Sequence, residues 1–403
     1  MKLFEKGELK LLWPFYLEYF TASLFYFAPA FMILFLLNIG LSLTKVGILI
    51  AIMPLTALIF EIPTGAVADL YGRKFSVLLG YLIEGLCMLS VFFFKSYIIL
   101  LGIFAIWGIG TTFSSGSKDA WIVDFINKKK KNLVHNFFNK MQIFISFGLI
   151  FSGIIGAIAV SHFGVNIIWL VGSFSYLFSI VLLFFFTKED YPNKKMEKKG
   201  LLKDVIFQSK ITISYGYKHH VLFYYLFATL LLAFVGSLSS SITWTSFLRG
   251  FEFPDSYFGY MWSIIGFFSM IAPIASSKLL KKGKEKEFII LSFIISAVIL
   301  FFVLFSKNWA YALVILALST LSFGIGKPAL EVLFHRFIPN KMRATMGSVR
   351  SMIIYIGGII GTASVGYIID LIGAKYTLLL YVPLVIPIII LYLKIKETPK
   401  PKK

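Results

Sequence analysis

Glu61-Ile62-Pro63-Thr64-Gly65-Ala66-Val67-Ala68-Asp69-Leu70-Tyr71-Gly72-Arg73-Lys74-Phe75 joins two long apolar runs through one tight, charged turn. Asp69 ends the run before it. Gly72 supplies the backbone freedom for a short reversal, and Arg73 and Lys74 stand where a chain leaving a bilayer meets the cytoplasmic interface. Stop charges of this kind suit any short loop between membrane helices, so the rest of the chain has to decide. Of its 403 residues, 58% are apolar and 14% charged, with a mean hydropathy of +0.85. A soluble domain carries about 25% charged residues. Apolar runs of about 20 residues recur along the whole chain, each long enough for a hydrocarbon core of about 30 Å. A backbone in lipid must satisfy its own hydrogen bonds, and alternating strand patterns are absent, so the expected fold is an all-α polytopic membrane protein.

Twelve spans are expected, at 11–37, 45–68, 75–94, 97–126, 140–162, 166–187, 221–248, 256–279, 287–306, 309–334, 344–371 and 375–393. With the N-terminus in the cytoplasm, 31 of the 39 Lys and Arg lie inside, and Lys45, Lys95, Arg249, Lys307 and Lys375 lie outside. The opposite orientation would place Lys128 to Lys131 and the Lys-rich loop 188–220 on the wrong side, so both termini are expected in the cytoplasm. The net charge of +20 sits in alternate loops. It therefore reads as orientation signals and contacts with anionic lipid rather than a nucleic-acid surface. No cleavable signal pattern is present, and the lone Cys87 excludes a disulfide or a cysteine metal cluster. In the loop, Leu201-Leu202-Lys203-Asp204-Val205-Ile206 spaces apolar residues for one helix face, which suits a helix lying on the membrane or a plain linker.

An internal repeat divides the chain into bundles at 1–187 and 221–403, joined by a cytoplasmic linker at 188–220. Asn139-Lys140-Met141 returns as Asn340-Lys341-Met342, Gly153-Ile154-Ile155-Gly156 as Gly358-Ile359-Ile360-Gly361, and Gly108-Ile109-Gly110 as Gly324-Ile325-Gly326. The order is the same in both halves. The counterpart of the opening turn, Ser277-Lys278-Leu279-Leu280-Lys281-Lys282-Gly283, has lost its acid.

The pattern Gly65, Asp69, Gly72, Arg73, Lys74 resembles the loop between helices two and three of the major facilitator superfamily. With twelve spans, a central loop and a two-fold repeat, the resemblance covers nearly the whole chain. It implies two pseudo-symmetric six-helix bundles, with helices one, four, seven and ten around a central cavity that opens alternately to either side. It also implies a conformational latch in which Arg73 pairs with Asp124 and Asp69 faces the start of span eleven near Thr345 to Ser348. The Glu61-Ile62-Pro63-Thr64-Gly65 lead-in and Ser115-Gly116-Ser117-Lys118-Asp119-Ala120-Trp121 are similar to the prokaryotic drug:proton antiporter-like branch. The chain departs from that branch at Phe104, which stands where an Arg precedes Gly108 by four, and in span five, which has Gly148, Gly153 and Gly156 but no Gly-Pro.

An ionisable side chain at mid-membrane costs about 2.5–3.5 kcal/mol on insertion scales, so each one needs a reason. The candidates are Glu18, Glu61, Glu84, Lys118, Asp119, Lys327, Glu331 and Arg350. Glu18 lies roughly 10 Å in from the cytoplasmic end at 1.5 Å per residue. It sits among Tyr16, Tyr19, Thr21, Ser23 and Tyr26, a mixed face suited to a wet cavity, where an acid can exchange protons or simply hold a neighbouring helix. Lys118 and Asp119 point about 100° apart, so only one faces a cavity squarely. Lys327 and Glu331, four apart, share a helix face and can neutralise each other. If both lysines face inward they suit an anionic substrate; if each is tied to a carboxylate they are structural or part of a proton relay, and pairing is preferred. Hydroxyls crowd spans four and seven, among them Ser241, and serve either a polar cavity or close helix packing. Tyr19, Tyr26, Trp244 and Ser241 are possible substrate contacts, Trp244 as a stacking face or as core.

No HExxH pattern, phosphate-binding glycine loop or nucleophile elbow is present, so no enzyme and no cofactor are expected. Energy must come from an ion gradient or the substrate's own. The expected function is proton-coupled export of small, largely hydrophobic compounds by a monomer in the plasma membrane of a prokaryote. The alternatives are import of a polar or anionic metabolite and, more remotely, a non-transporting membrane sensor.

Overall fold

The computed structural model describes residues 4–5, 7–129, 133–189, 220–336, 338 and 343–395. They are helical almost throughout, with no strand among them. Most of the loop 188–220, the Asn340-Lys341-Met342 repeat and the C-terminal tail lie outside the described residues. The chain runs α1 (Glu8–Leu24), α2 (Ala28–Asn38), α3 (Leu43–Tyr71), α4 (Arg73–Phe93), α5 (Tyr97–Ser114), α6 (Ser117–Lys129), α7 (Leu133–Phe163) and α8 (Ile167–Phe186). It continues as α9 (His220–Leu238), α10 (Ser241–Arg249), α11 (Tyr257–Leu279), α12 (Glu285–Phe301) with a 3-10 turn at Phe302–Phe305, α13 (Trp309–Arg336), α14 (Arg343–Leu379) and α15 (Tyr381–Lys394).

Among the described residues, 11 helical segments of 20 to 34 residues are long and apolar enough to cross a membrane. The twelfth, α15, has 14 residues. Gly373 explains the shortfall. Its φ of 82° breaks α14, so span eleven ends there and residues 374–379 already belong to the next crossing. Outer faces carry large bare apolar side chains such as Ile98, Phe185 and Leu371, which lipid would cover. The protein is a multi-pass membrane protein.

Spans one, four and seven are broken, where hydropathy predicted continuous helices. Span one opens at Phe25–Phe27, and Pro29 then occupies the first turn of α2, where its missing N–H leaves no bond unmade. Span four opens at the extended Ser115 and at Gly116, whose φ is 66°. Span seven opens before Ser240. Interruptions of two or three residues barely alter a hydropathy window. At membrane depth such backbone persists where it is buried in protein or lines a cavity.

The described residues of Met1–Asn193 and Phe253–Phe267 form one compact unit, and those of Lys194–Glu252 and Phe268–Lys403 a second. Each unit packs by the same device. Lipid gives helices no hydrophobic reason to associate, so close contact needs small side chains. In the first unit a Cβ on Gly108 would lie 2.1 Å from Met53 O of α3, and one on Gly110 2.8 Å from Ile83 Cγ2 of α4. In the second, a Cβ on Gly324 would lie 2.6 Å from Ala272 Cβ of α11, and one on Gly326 2.4 Å from Ser292 Oγ of α12. The Gly-Ile-Gly motif thus does one job twice, seating span four on spans two and three and span ten on spans eight and nine. Likewise Gly156 closes on Phe27 and Phe31 of span one, and Gly361 on Ser237 of span seven. At one end of the first unit, Leu12, Phe15, Trp121, Ile122, Phe137 and Leu183 form a fully buried core that fixes α1 against α6, α7 and α8.

Candidate functional site

The break in span four decides where Lys118 goes. Gly116 turns the chain out of α5, and α6 restarts at Ser117 with Lys118 in its first turn. From there the Lys118 ammonium reaches Glu18 of α1, with Nζ 2.6 Å from Oε2. Glu18 is 1% exposed, and its other oxygen accepts the Tyr81 hydroxyl at 2.8 Å. The ammonium also lies 3.5 Å from the centroid of the Tyr19 ring and 5.6 Å from that of Tyr81. One carboxylate, one ammonium and two tyrosine faces form a closed, neutral set. Asp119 points elsewhere: it is exposed and accepts the Tyr19 hydroxyl at 3.1 Å.

A second carboxylate lies nearby on α4. Glu84 is 5% exposed and accepts hydroxyls from Ser114 at 3.0 Å and Tyr176 at 2.7 Å. Its partners come from spans four and six, and both are uncharged. Glu18, Glu84 and Lys118 share the wall of a cavity of about 330 Å³ that lies wholly in the first unit. The break in span one supplies Phe25 and Tyr26 to that wall, with Tyr19 one turn earlier. The remaining surface is largely apolar, including Met88 and Leu149.

In the second unit the expected neutralisation of Lys327 by Glu331 is not found. Glu331 accepts two bonds from Arg350 of α14, at 2.6 and 2.7 Å. A planar guanidinium matches a carboxylate through two parallel bonds, which a lysine four residues along the same helix cannot do. Arg350 also lies 4.7 Å from the Phe334 ring centroid. Lys327 is exposed, with its ammonium 5.3 Å from the Phe323 ring centroid. Trp244 is 2% exposed, and its Nε1 donates to Ser239 at 3.0 Å, so its indole fills core. Ser241 begins α10 and is half-buried.

The charged turn is more elaborate than its sequence. Gly72, at φ 100°, links α3 to α4, and Arg73 Nη1 lies 2.6 Å from Asp124 Oδ2 of α6. Glu189, just after α8, accepts the backbone N–H groups of Arg73 at 3.0 Å and Lys74 at 2.8 Å. The Lys74 ammonium donates in return to the carbonyls of Phe184 and Thr187, at 3.0 and 2.5 Å. An acid thus sits on the start of one helix and a cation on the end of its neighbour, each matched to the local dipole. Asp69 and Gly65 lie on α3, Asp69 exposed. Sequence reasoning missed this clasp, although an acid directly after the last apolar run of the first half was its signal. It also missed Glu8, which is fully buried, 2.5 Å from Lys140 and bonded by the Tyr16 hydroxyl at 2.6 Å. Glu84 stood among the acids noted within spans, but its two hydroxyl partners come from helices far along the chain.

Residues 16–362 and 283–403 match the family described as Major Facilitator Superfamily. A Bacillus subtilis (strain 168) protein, described as the uncharacterized MFS-type transporter YxaM, is 24% identical over 383 residues, covering 90% of each chain. The structure of the nucleoside transporter NupG superposes with a TM-score of 0.78 at 13% identity, covering 96% of this chain and 98% of that one. That of a D-xylose-proton symporter gives 0.71 at 13% identity, covering 96% and 98%. At such identities the two structures speak for the fold alone.

Proposed function

The chain belongs to the Major Facilitator Superfamily, and from that premise we propose a proton-coupled secondary transporter that exports small, largely hydrophobic compounds by alternating access. The observation that carries this reading is the pair of buried carboxyls, Glu18 and Glu84, on the wall of one mostly apolar cavity. Apolar walls suit a hydrophobic cargo, and buried acids with hydroxyl and ammonium partners suit a proton that comes and goes. Glu18 and Lys118 are then the coupling group in the first half, with Asp119 joined to them through Tyr19. A D-xylose-proton symporter gives the coupling ion a precedent on this fold. The bias of Lys and Arg supports cytoplasmic termini in the plasma membrane of a prokaryote.

Bundles 1–187 and 221–403 rock against each other in this reading, and Asp69 latches the cytoplasmic side through the start of span eleven. The dipole term there is worth about 1–2 kcal/mol, weak enough to break on each cycle. Import of an anionic metabolite is less well supported, because Lys118 is already held by Glu18. The test is purified protein in liposomes with an imposed pH gradient, an internal pH dye and a panel of fluorescent hydrophobic compounds, ethidium among them. Proton movement opposite to compound movement supports export by exchange. Movement in the same direction would replace export with import, and no coupled movement would remove the proton.

A further inference from the structure

The cavity of the first unit holds three ionisable side chains, and their charges do not cancel. Lys118 is committed to Glu18 at 2.6 Å. Glu84 accepts the hydroxyls of Ser114 and Tyr176, with the Trp107 indole and the Lys118 charge also near it, and forms no ion pair among the described residues. Two carboxyls therefore face one ammonium, and a buried charge without a counter-ion is costly, so Glu84 needs either a proton or a cationic ligand. The aromatic lining already shows what it accepts. Lys118 lies against the faces of Tyr19 and Tyr81, while Tyr26 and Tyr176 line the same space with no cation over either ring among the described residues. Aromatic faces attract ammonium groups and offer nothing to an anion. The rest of the wall is largely apolar, with Met88, Ile145 and Leu149, and carries the hydroxyls of Ser23, Ser175 and Ser179. A volume of about 330 Å³ is at the small end for a ligand site.

We infer that this cavity is a binding site for a small hydrophobic amine, its single positive charge set on Glu84 and its apolar body against Met88 of span three and Ile145 and Leu149 of span five. The inference deepens the transport reading by naming the cargo's chemistry, and rests on it only in calling the ligand a cargo. The site lies inside one half of the chain and takes its charge from span three, a helix outside the set of one, four, seven and ten expected around a central cavity. Glu84 is the specificity-determining residue. Lys118 and Glu18, paired with each other, line the same cavity.

The experiment is equilibrium dialysis of purified protein in detergent against labelled 4-phenylbutylamine, with 4-phenylbutanol and 4-phenylbutyrate as neutral and anionic compounds on the same skeleton. The amine is expected to bind one site at least tenfold more tightly than either. Glu84→Gln should weaken the amine at least tenfold and leave the alcohol unchanged. Tyr176→Phe, which keeps the charge and removes one donor, should retain amine binding, and Glu61→Gln, at an exposed acid of α3, should have no effect. If Glu84→Gln does not fold, Glu84→Asp takes its place and is expected to fall between. Equal affinity for the three compounds, or amine binding indifferent to Glu84, overturns the inference and leaves Glu84 a structural acid. Saturable amine binding without movement in liposomes would keep the site and remove the transport reading. Coupled transport indifferent to Glu84 would do the reverse.

Discussion

Replacing Lys118 by Met should be the most damaging single loss of charge in the first unit, and the geometry sets the size of the effect. Glu18 is 1% exposed, and the Lys118 side chain is 13% exposed. Without the ammonium, the carboxylate keeps only the Tyr81 hydroxyl. Breaking a buried ion pair from one side costs about 3–5 kcal/mol. The low end applies here, because the Tyr81 bond survives and the pair borders a cavity. For a unit of about two hundred residues, about 3 kcal/mol corresponds to a fall in Tm of about 6–12 °C. Glu18→Gln should cost less, since the orphaned ammonium still rests on the Tyr19 ring. The double variant Lys118→Met with Glu18→Gln restores neutrality and should recover most of the loss, giving a coupling of about 2–3 kcal/mol. The assay is the temperature at which half of the protein leaves the monodisperse peak in one fixed detergent, read for wild type, both single variants and the double. Additive losses, with the double variant worst, would refute the reasoning and show that the two charges do not depend on each other.

Lys327→Met should leave folded yield unchanged, whereas Arg350→Met should lower it and Arg350→Lys should rescue it only in part, because a lysine cannot make both bonds to Glu331; equal yields in all three would contradict the assignment of partners. Glu189→Gln should lower thermal stability by about 0.5–2 kcal/mol, the usual range for a helix N-cap, with the start of α4 gaining amide exchange. Unchanged exchange there would mean that the clasp is decorative. Gly108→Ala should prevent close seating of α5 on α3 and reduce folded protein sharply, while Gly65→Ala, where an added Cβ meets nothing within 4 Å, should be silent for folding. For the latch, Asp69→Asn should shift spin-label distances between the loops after spans two and ten toward an open cytoplasmic side and slow turnover with little loss of protein. An unchanged distance distribution would remove the latch.

The twelve crossings were legible because lipid imposes a single rule, a long apolar helix with charges at its ends, and the chain repeats that rule without relief. The Gly-Ile-Gly repeat could be read too, since close packing in a membrane depends on which side chains are missing. The breaks at Phe25–Phe27, Ser115–Gly116 and before Ser240 escaped notice, because polarity averaged over a span does not register two or three residues of altered backbone. Charge partners were the least legible. Lys118 lies next to Asp119 and Lys327 one turn from Glu331, yet Lys118 reaches back a hundred positions to Glu18, and Glu331 is held by Arg350. Adjacency along a helix offers the shorter route, but a buried carboxylate takes whichever cation completes its hydrogen bonds. Tyr81 and Tyr176 were invisible for the same reason, since a tyrosine's hydroxyl partner is set by helix packing rather than by spacing.

If buried acids in the first half couple cargo movement to protons, Glu18→Gln in proteoliposomes should uncouple the two. With an inward-acid pH gradient and ethidium as the reporter, wild type should concentrate the dye against its gradient, while Glu18→Gln should equilibrate it at a comparable initial rate and concentrate none. Undiminished accumulation by Glu18→Gln, in protein verified as folded, would contradict coupling at Glu18 and move the coupling site elsewhere.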